Sequence, residues 1–188
     1  MLFLVVLAVG LLTVRPAGGR FQVLSEVPLR APWLVALALA IQVVTISVLV
    51  SPPHLLAAGL HVLSYAVAAL FLWCNRRLAG LPVLTAGAAL NLTAIVANAG
   101  VMPAREAALS SAGIVADPSH FANSATLDDA RLAFLGDVFA VPEAAGLLAN
   151  VFSVGDVLLA VGAVWLLHGA AGCRWTHVLP ARAALAVD

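Results

Sequence analysis

Two carboxylates that each follow a glycine, Gly136-Asp137 and Gly155-Asp156, stand at the threshold of an apolar run in the stretch Leu132 to Gly162. A carboxylate inside an apolar span costs at least about 2.5 kcal/mol on insertion scales, so it is paired, protonated or facing water. Two carboxylates in one pocket raise one pKa and supply an acid and a base, or together hold a cation. Each also has a plainer use. An Asp at a helix start caps it, and Asp137 beside Gly136 suits a turn at an interface. Gln42, Thr45, His61, Ser64, Asn91, Asn98, Asn150 and Ser153 are the polar groups able to complete such a pocket. Taken singly, Gln42, Thr45, Ser64 and Asn91 are side chains of the kind that bridge helices in membranes for about 0.6 kcal/mol each.

The elements that must position these groups follow from composition. Of the 188 residues, 63% are hydrophobic and 10% charged, with a mean hydropathy of +1.09; an ordinary soluble domain carries roughly 25% charged residues. The apolar residues fall in separate runs, several of which reach or approach the ~20 residues of a spanning helix. The expected fold is all-α: an integral membrane helical bundle of about five transmembrane helices in a single membrane domain, 1–188. Helices are expected over about 1–14, 32–50, 54–74, 81–100 and 149–171, with an outer loop over 101–148. The first is marginal in length for a full span. Ser51-Pro52-Pro53, Asn75-Arg76-Arg77 and Met102-Pro103 punctuate the runs. Within the outer loop, Thr126-Leu127-Asp128-Asp129 resembles a capping box, predicting a short amphipathic helix that carries Leu132, Leu135 and Phe139 to the membrane surface and stops at Pro142. Gly155, Gly162 and Gly169, at intervals of seven, make a smooth stripe where another helix can approach. Trp33, Trp73, Trp165 and Trp175 are candidates for interface positions.

All nine basic residues are Arg. With five helices and the N-terminus outside, the inner segments hold Arg15, Arg20, Arg30, Arg76, Arg77, Arg174 and Arg182, and the outer segments only Arg105 and Arg131. The excess of positive charge on cytoplasmic loops predicts N-out and C-in. At ~1.5 Å per residue, Gln42, Thr45, His61, Ser64, Asn91, Asn98, Asn150, Ser153 and Asp156 then converge on the outer half of the bilayer. Cys74 and Cys173 read as reduced thiols at the inner ends of their runs.

Other chemistries find little support. Bis-His haem ligation would need two His at one depth, whereas His61 and His168 are separated axially by roughly 15 Å. His54 and His120 are too few for a metal site. No zinc-protease, dithiol, phosphate-loop, dinucleotide or nucleophile-elbow motif occurs, and no basic aromatic platform exists for nucleic acid. No cofactor or metal is expected. The expected partners are the lipid bilayer, a small or lipid-like ligand, and a second copy or another membrane protein.

Four segments carry a resemblance: Arg15 to Arg20 with Gly18-Gly19; Asn98-Ala99-Gly100-Val101-Met102-Pro103; Phe134-Leu135-Gly136-Asp137 with Pro142; and Asn150-Val151-Phe152-Ser153-Val154-Gly155-Asp156. Together they resemble an uncharacterised family of small bacterial polytopic membrane proteins, a domain of unknown function. The family often has glycine where this chain has Ala99. The resemblance implies a bacterial cytoplasmic-membrane, multi-pass protein and transfers no reaction. The expected function is binding of a small or lipid-like ligand or ion in an outward-facing polar pocket formed by Asp156, Asp137, Asn98, Asn150, Ser153, Asn91 and His61, as an accessory subunit. The alternatives are an intramembrane enzyme acting on a lipid or isoprenoid through paired Asp, and a structural or assembly factor.

Overall fold

Residues 2–45, 53–114 and 124–178 are described by a computed structural model. Ser47, Ser51, Pro52, His120 and Arg182 lie outside the described residues, as does the side chain of His54. Six α-helices are present among them: α1 (Leu2–Val14), α2 (Trp33–Val43), α3 (His54–Cys74), α4 (Leu81–Ala97), α5 (Glu106–Ser111) and α6 (Val154–Ala170). Two small sheets accompany them. β1 (Met102–Pro103) pairs parallel with β2 (Ser124–Ala125), and β3 (Phe139–Val141) pairs antiparallel with β4 (Asn150–Phe152), Val141 opposite Asn150.

Glycine decides how the helices pack. A Cβ on Gly87 would lie 2.5 Å from the Gly155 carbonyl oxygen, and one on Gly162 would lie 2.5 Å from the Leu84 amide nitrogen. Small residues let backbones approach this closely, so α4 and α6 run antiparallel almost backbone to backbone. The seven-residue glycine stripe thus meets its partner in Gly80 and Gly87, also seven apart. α1 lies along α6 in the same direction, tied by His168, whose Nε2 lies 2.9 Å from the Gly10 carbonyl and 3.2 Å from Thr13 Oγ1. Trp175 Nε1 donates to His168 Nδ1 at 2.9 Å. An indole N–H can only donate, so Nδ1 accepts and Nε2 carries the hydrogen toward Gly10.

The helices alternate in direction, which separates charge into two ends. Arg30 exchanges hydrogen bonds with Asn75 at the close of α3, Arg20 N donates to the Ala171 carbonyl, and Arg174 packs over Gly18. The starts of α3 and α6 and the end of α4 lie at the opposite end, under the loop holding Asp128, Asp129 and Asp137.

The expected bundle of five spanning helices is corrected in length and in class. Among the described residues one helix, Leu55–Cys74, is long and apolar enough to cross a membrane; Phe3–Val14, Trp33–Val43, Leu81–Ala97 and Val154–Ala170 are apolar but shorter. The reasons are local. Helix α4 ends at Asn98 because the chain turns left-handed at Ala99 (φ +55) and Gly100 (φ +94), where Gly100 packs directly on Ala58. Helix α6 starts at Val154, not Ala149, because Asn150–Phe152 is a strand held by β3. The chain is accordingly not all-α. The amphipathic helix expected from Thr126 is also absent: residues 126–131 form turns and coil, Leu132 has φ +52, a single 3-10 turn covers Ala133–Leu135, and Phe139 is in β3, stacked 5.4 Å from Phe152. The short helix of this region is α5.

Left-handed backbone is unfavourable for a residue with a Cβ. Ala99→Gly is therefore expected to raise stability by about 1 kcal/mol, read as a higher thermal unfolding midpoint.

Candidate functional site

Asp156 is built into the structure from two directions. Ser153 is the N-cap of α6; its Oγ accepts from Asp156 N at 3.0 Å while Asp156 Oδ2 accepts from Ser153 N at 3.0 Å, a reciprocal capping box. The carboxylate also sits in the first turn, where the helix dipole favours negative charge. The other oxygen, Oδ1, accepts from Asn91 Nδ2 of α4 at 2.7 Å, and Asn91 Oδ1 accepts from Ser153 Oγ at 2.8 Å. Asn91 and Ser153 are buried, and the Asn91 side chain also engages Tyr65 of α3. Asn91 can reach this cluster because Gly155 has no Cβ; one built there would overlap Asn91 Oδ1.

On its open side Asp156 lines a cavity of about 970 Å³ bounded by α1, α2, α3, α4, β4 and α6. Gln42, Ser64, Tyr65, Asn150 and Asp156 supply polar groups near one end, the side from which α6 starts. The remainder is apolar or aromatic, down to Trp165 and Trp175, whose ring centroids are 6.5 Å apart. From Asp156 to Trp165 the rise along α6 is roughly 13 Å.

Asp137 is placed differently. It is buried in the loop layer and does not line the cavity. Its N–H donates to the Pro103 carbonyl, its carbonyl accepts from Arg105 N, and Gly136 fits directly under Pro103. Oδ2 accepts from Ser124 Oγ at 2.5 Å; Oδ1 is buried and has no hydrogen-bond partner among the described residues. Burial lifts the carboxyl to about 6; the Ser124 hydroxyl opposes this and the charge of Asp156 adds to it. The two carboxylates sense one another electrostatically while occupying separate compartments.

The other sequence-derived residues divide between the two. Asn150 lines the cavity beside Asp156, and Asn91 and Ser153 stand behind the carboxylate as its supports. Asn98 instead pins the loop, exchanging hydrogen bonds of 2.8 Å with the backbone of Arg131. His61 is buried with its ring 5.4 Å from that of Tyr65 and does not line the cavity. Three features escaped the sequence. Ser124 is thirteen residues from the carboxyl it contacts, Trp165 and Trp175 are cavity walls, and His168 is the strut between α1 and α6. Only the last left a trace, the seven-residue interval from His168 to Trp175.

No curated protein and no solved structure matches the chain. Residues 26–168 match the model of a family of unknown function. That span takes in α2 to α5, nearly all of α6, and the whole of the Asp156 cluster, leaving out α1 and the turn at Arg15 to Arg20. The chain belongs to this family of unknown function, DUF5317.

Proposed function

We propose that the protein binds a lipid-like amphiphile in a membrane, its apolar chain lying along α6 and its polar head against Asp156, Asn150 and Gln42. The observation that carries the reading is the cavity: about 970 Å³, walled mainly by apolar side chains, with polar groups gathered at one end. Location in a membrane is supported by the span-length α3 and by exposed apolar side chains such as Leu4, Leu12, Leu39 and Leu55, which in water would form an adhesive surface. The positive-inside tendency puts the Arg76-Arg77 end of α3 at the cytoplasmic face. A carboxylate held by Asn91 and Ser153 favours a head that donates hydrogen bonds or carries positive charge.

Trp165 and Trp175 provide the test. In a Trp33→Phe/Trp73→Phe background, a bromine-tipped alkyl amine is expected to quench their fluorescence saturably. Ala160→Phe, which fills the cavity wall, is expected to weaken that quenching at least tenfold, and a bromine-tipped alkyl sulfate is expected to bind less well than the amine. Quenching that rises linearly with probe and ignores Ala160→Phe would sink the proposal.

A further inference from the structure

A second concavity, of about 360 Å³, opens at the arginine-rich end and is lined by Arg15, Gly19, Arg20, Phe21 and Gln22. The loop that forms it is a close-packed turn with backbone hydrogen bonds. Gly18 takes φ +82, and its amide donates to the Arg15 carbonyl. A Cβ on Gly19 would lie 2.6 Å from Cys173 Sγ and 2.9 Å from Val14 Cγ1, and Arg20 N donates to the Ala171 carbonyl at 2.9 Å. Arg15 and Arg20 both line this one hollow. Arg174 packs over Gly18, and its amide donates to the Ala17 carbonyl, adding a third guanidinium to the same turn.

No carboxylate forms an ion pair with Arg15, Arg20 or Arg174 among the described residues. Like charges gathered in one turn repel, so a hollow that collects them is suited to an anion. Guanidinium forks match phosphate oxygens in pairs. The surroundings name the carrier of that phosphate. Phe21 and Trp175 are exposed nearby in the same layer, Trp33 and Trp73 are exposed at the same end, and the Arg76 guanidinium lies 4.5 Å over the Trp73 ring. Aromatic rings beside arginine are typical of the headgroup level of a membrane, and clustered Arg at the cytoplasmic surface attracts anionic lipids.

We infer that the Arg15–Arg20 hollow is a binding site for the phosphate of an anionic phospholipid, distinct from the cavity at Asp156. The inference shares with the proposed function only the location in a membrane. The turn follows α1 and lies outside the residues matched by the family model.

The full-length protein in a zwitterionic detergent, exposed separately to phosphatidylglycerol, phosphatidylcholine and inorganic phosphate, supplies the experiment, with bound lipid counted by native mass spectrometry. Phosphatidylglycerol is expected to be retained over phosphatidylcholine and displaced by raised salt. Arg15→Gln/Arg20→Gln is expected to lower its retention on the order of tenfold, and Arg105→Gln/Arg131→Gln at the opposite end to leave it unchanged. Equal retention of the two lipids, equal loss in both double variants, or displacement by millimolar inorganic phosphate at constant ionic strength would each overturn the assignment. The salt response of the unaltered protein keeps the test decisive if the first double variant misfolds. Failure of the alkyl-amine quenching would count against the cavity alone, whereas loss of lipid selectivity counts against this hollow alone.

Discussion

Asp137→Asn is expected to remove a step in stability that the unaltered protein shows between about pH 4 and pH 6. The carboxyl titrates near 6 in the fold against an ordinary 3.8, so within this window the folded state holds a proton that the unfolded state has released. Stability therefore falls as pH rises from the lower value to the higher and levels off above it. A separation of about two pKa units corresponds to roughly 3 kcal/mol as an upper figure. Asparagine keeps an oxygen to accept from Ser124 and carries no charge to desolvate. Its amide hydrogens occupy the place of Oδ1, where no acceptor stands among the described residues, and an unsatisfied buried donor costs about 1–3 kcal/mol. The net gain at pH 8 is accordingly about 1 kcal/mol, and the step that Asp137 contributes is lost. Denaturation midpoints of the two proteins from pH 3.5 to 8 measure both; parallel curves would show that Asp137 is solvated in the fold.

The second large effect is expected at Gly155. A methyl group there would overlap Asn91 Oδ1 and stand 2.8 Å from the Gly87 carbonyl, and neither neighbour is the loose end of a flexible side chain. Gly155→Ala must push α4 from α6, costing about 1–3 kcal/mol for overpacking and a further ~1–3 kcal/mol for the hydrogen bonds that Asn91 makes to Asp156 and Ser153. A total near 4 kcal/mol is a large part of the ~5–15 kcal/mol that holds a domain together. Gly59 supplies the contrast: a Cβ on it meets no described residue within 4 Å, so Gly59→Ala in α3 is expected to stabilise through helix propensity alone. Thermal unfolding of the two variants should move in opposite directions. If both behave alike, the close approach of α4 and α6 is wrong. Gly155→Ala should also weaken amine binding in the cavity, since the carboxylate loses the side chain that aims it.

Positions of helices were legible because they follow apolar runs. α1, α3 and the centres of α4 and α6 lie where the runs lie, and the stripe Gly155, Gly162, Gly169 did mark the tightest helix contact. Their ends were not legible. Extending α4 to Gly100 and starting α6 at Ala149 added the few residues that separate a 17-residue helix from a spanning one. What removed them were left-handed turns and a strand pairing, neither visible in hydropathy. Thr126 to Asp129 failed for a related reason: a capping sequence nucleates a helix only if the following residues can bury a face, and Phe139 instead stacks on Phe152 across β3 and β4.

The opening pair of carboxylates divides along the same line. Sequence alone determined that Asp156 would be costly without partners, that an Asp at a helix start could serve as a cap, and that Gly155 in its stripe of small residues could admit a second helix, because these are local properties of spacing and side-chain size; that Ser153 is the cap came from the structure. Only the tertiary structure decided which helix supplies the clamp, that the cavity beyond it is mostly apolar, and that Asp137 belongs to a buried loop layer with Ser124 instead of the cavity. Those outcomes depend on contacts between residues far apart in the chain, such as Asn91 with Asp156 and Ser124 with Asp137, and no local pattern encodes which distant surface a side chain will meet.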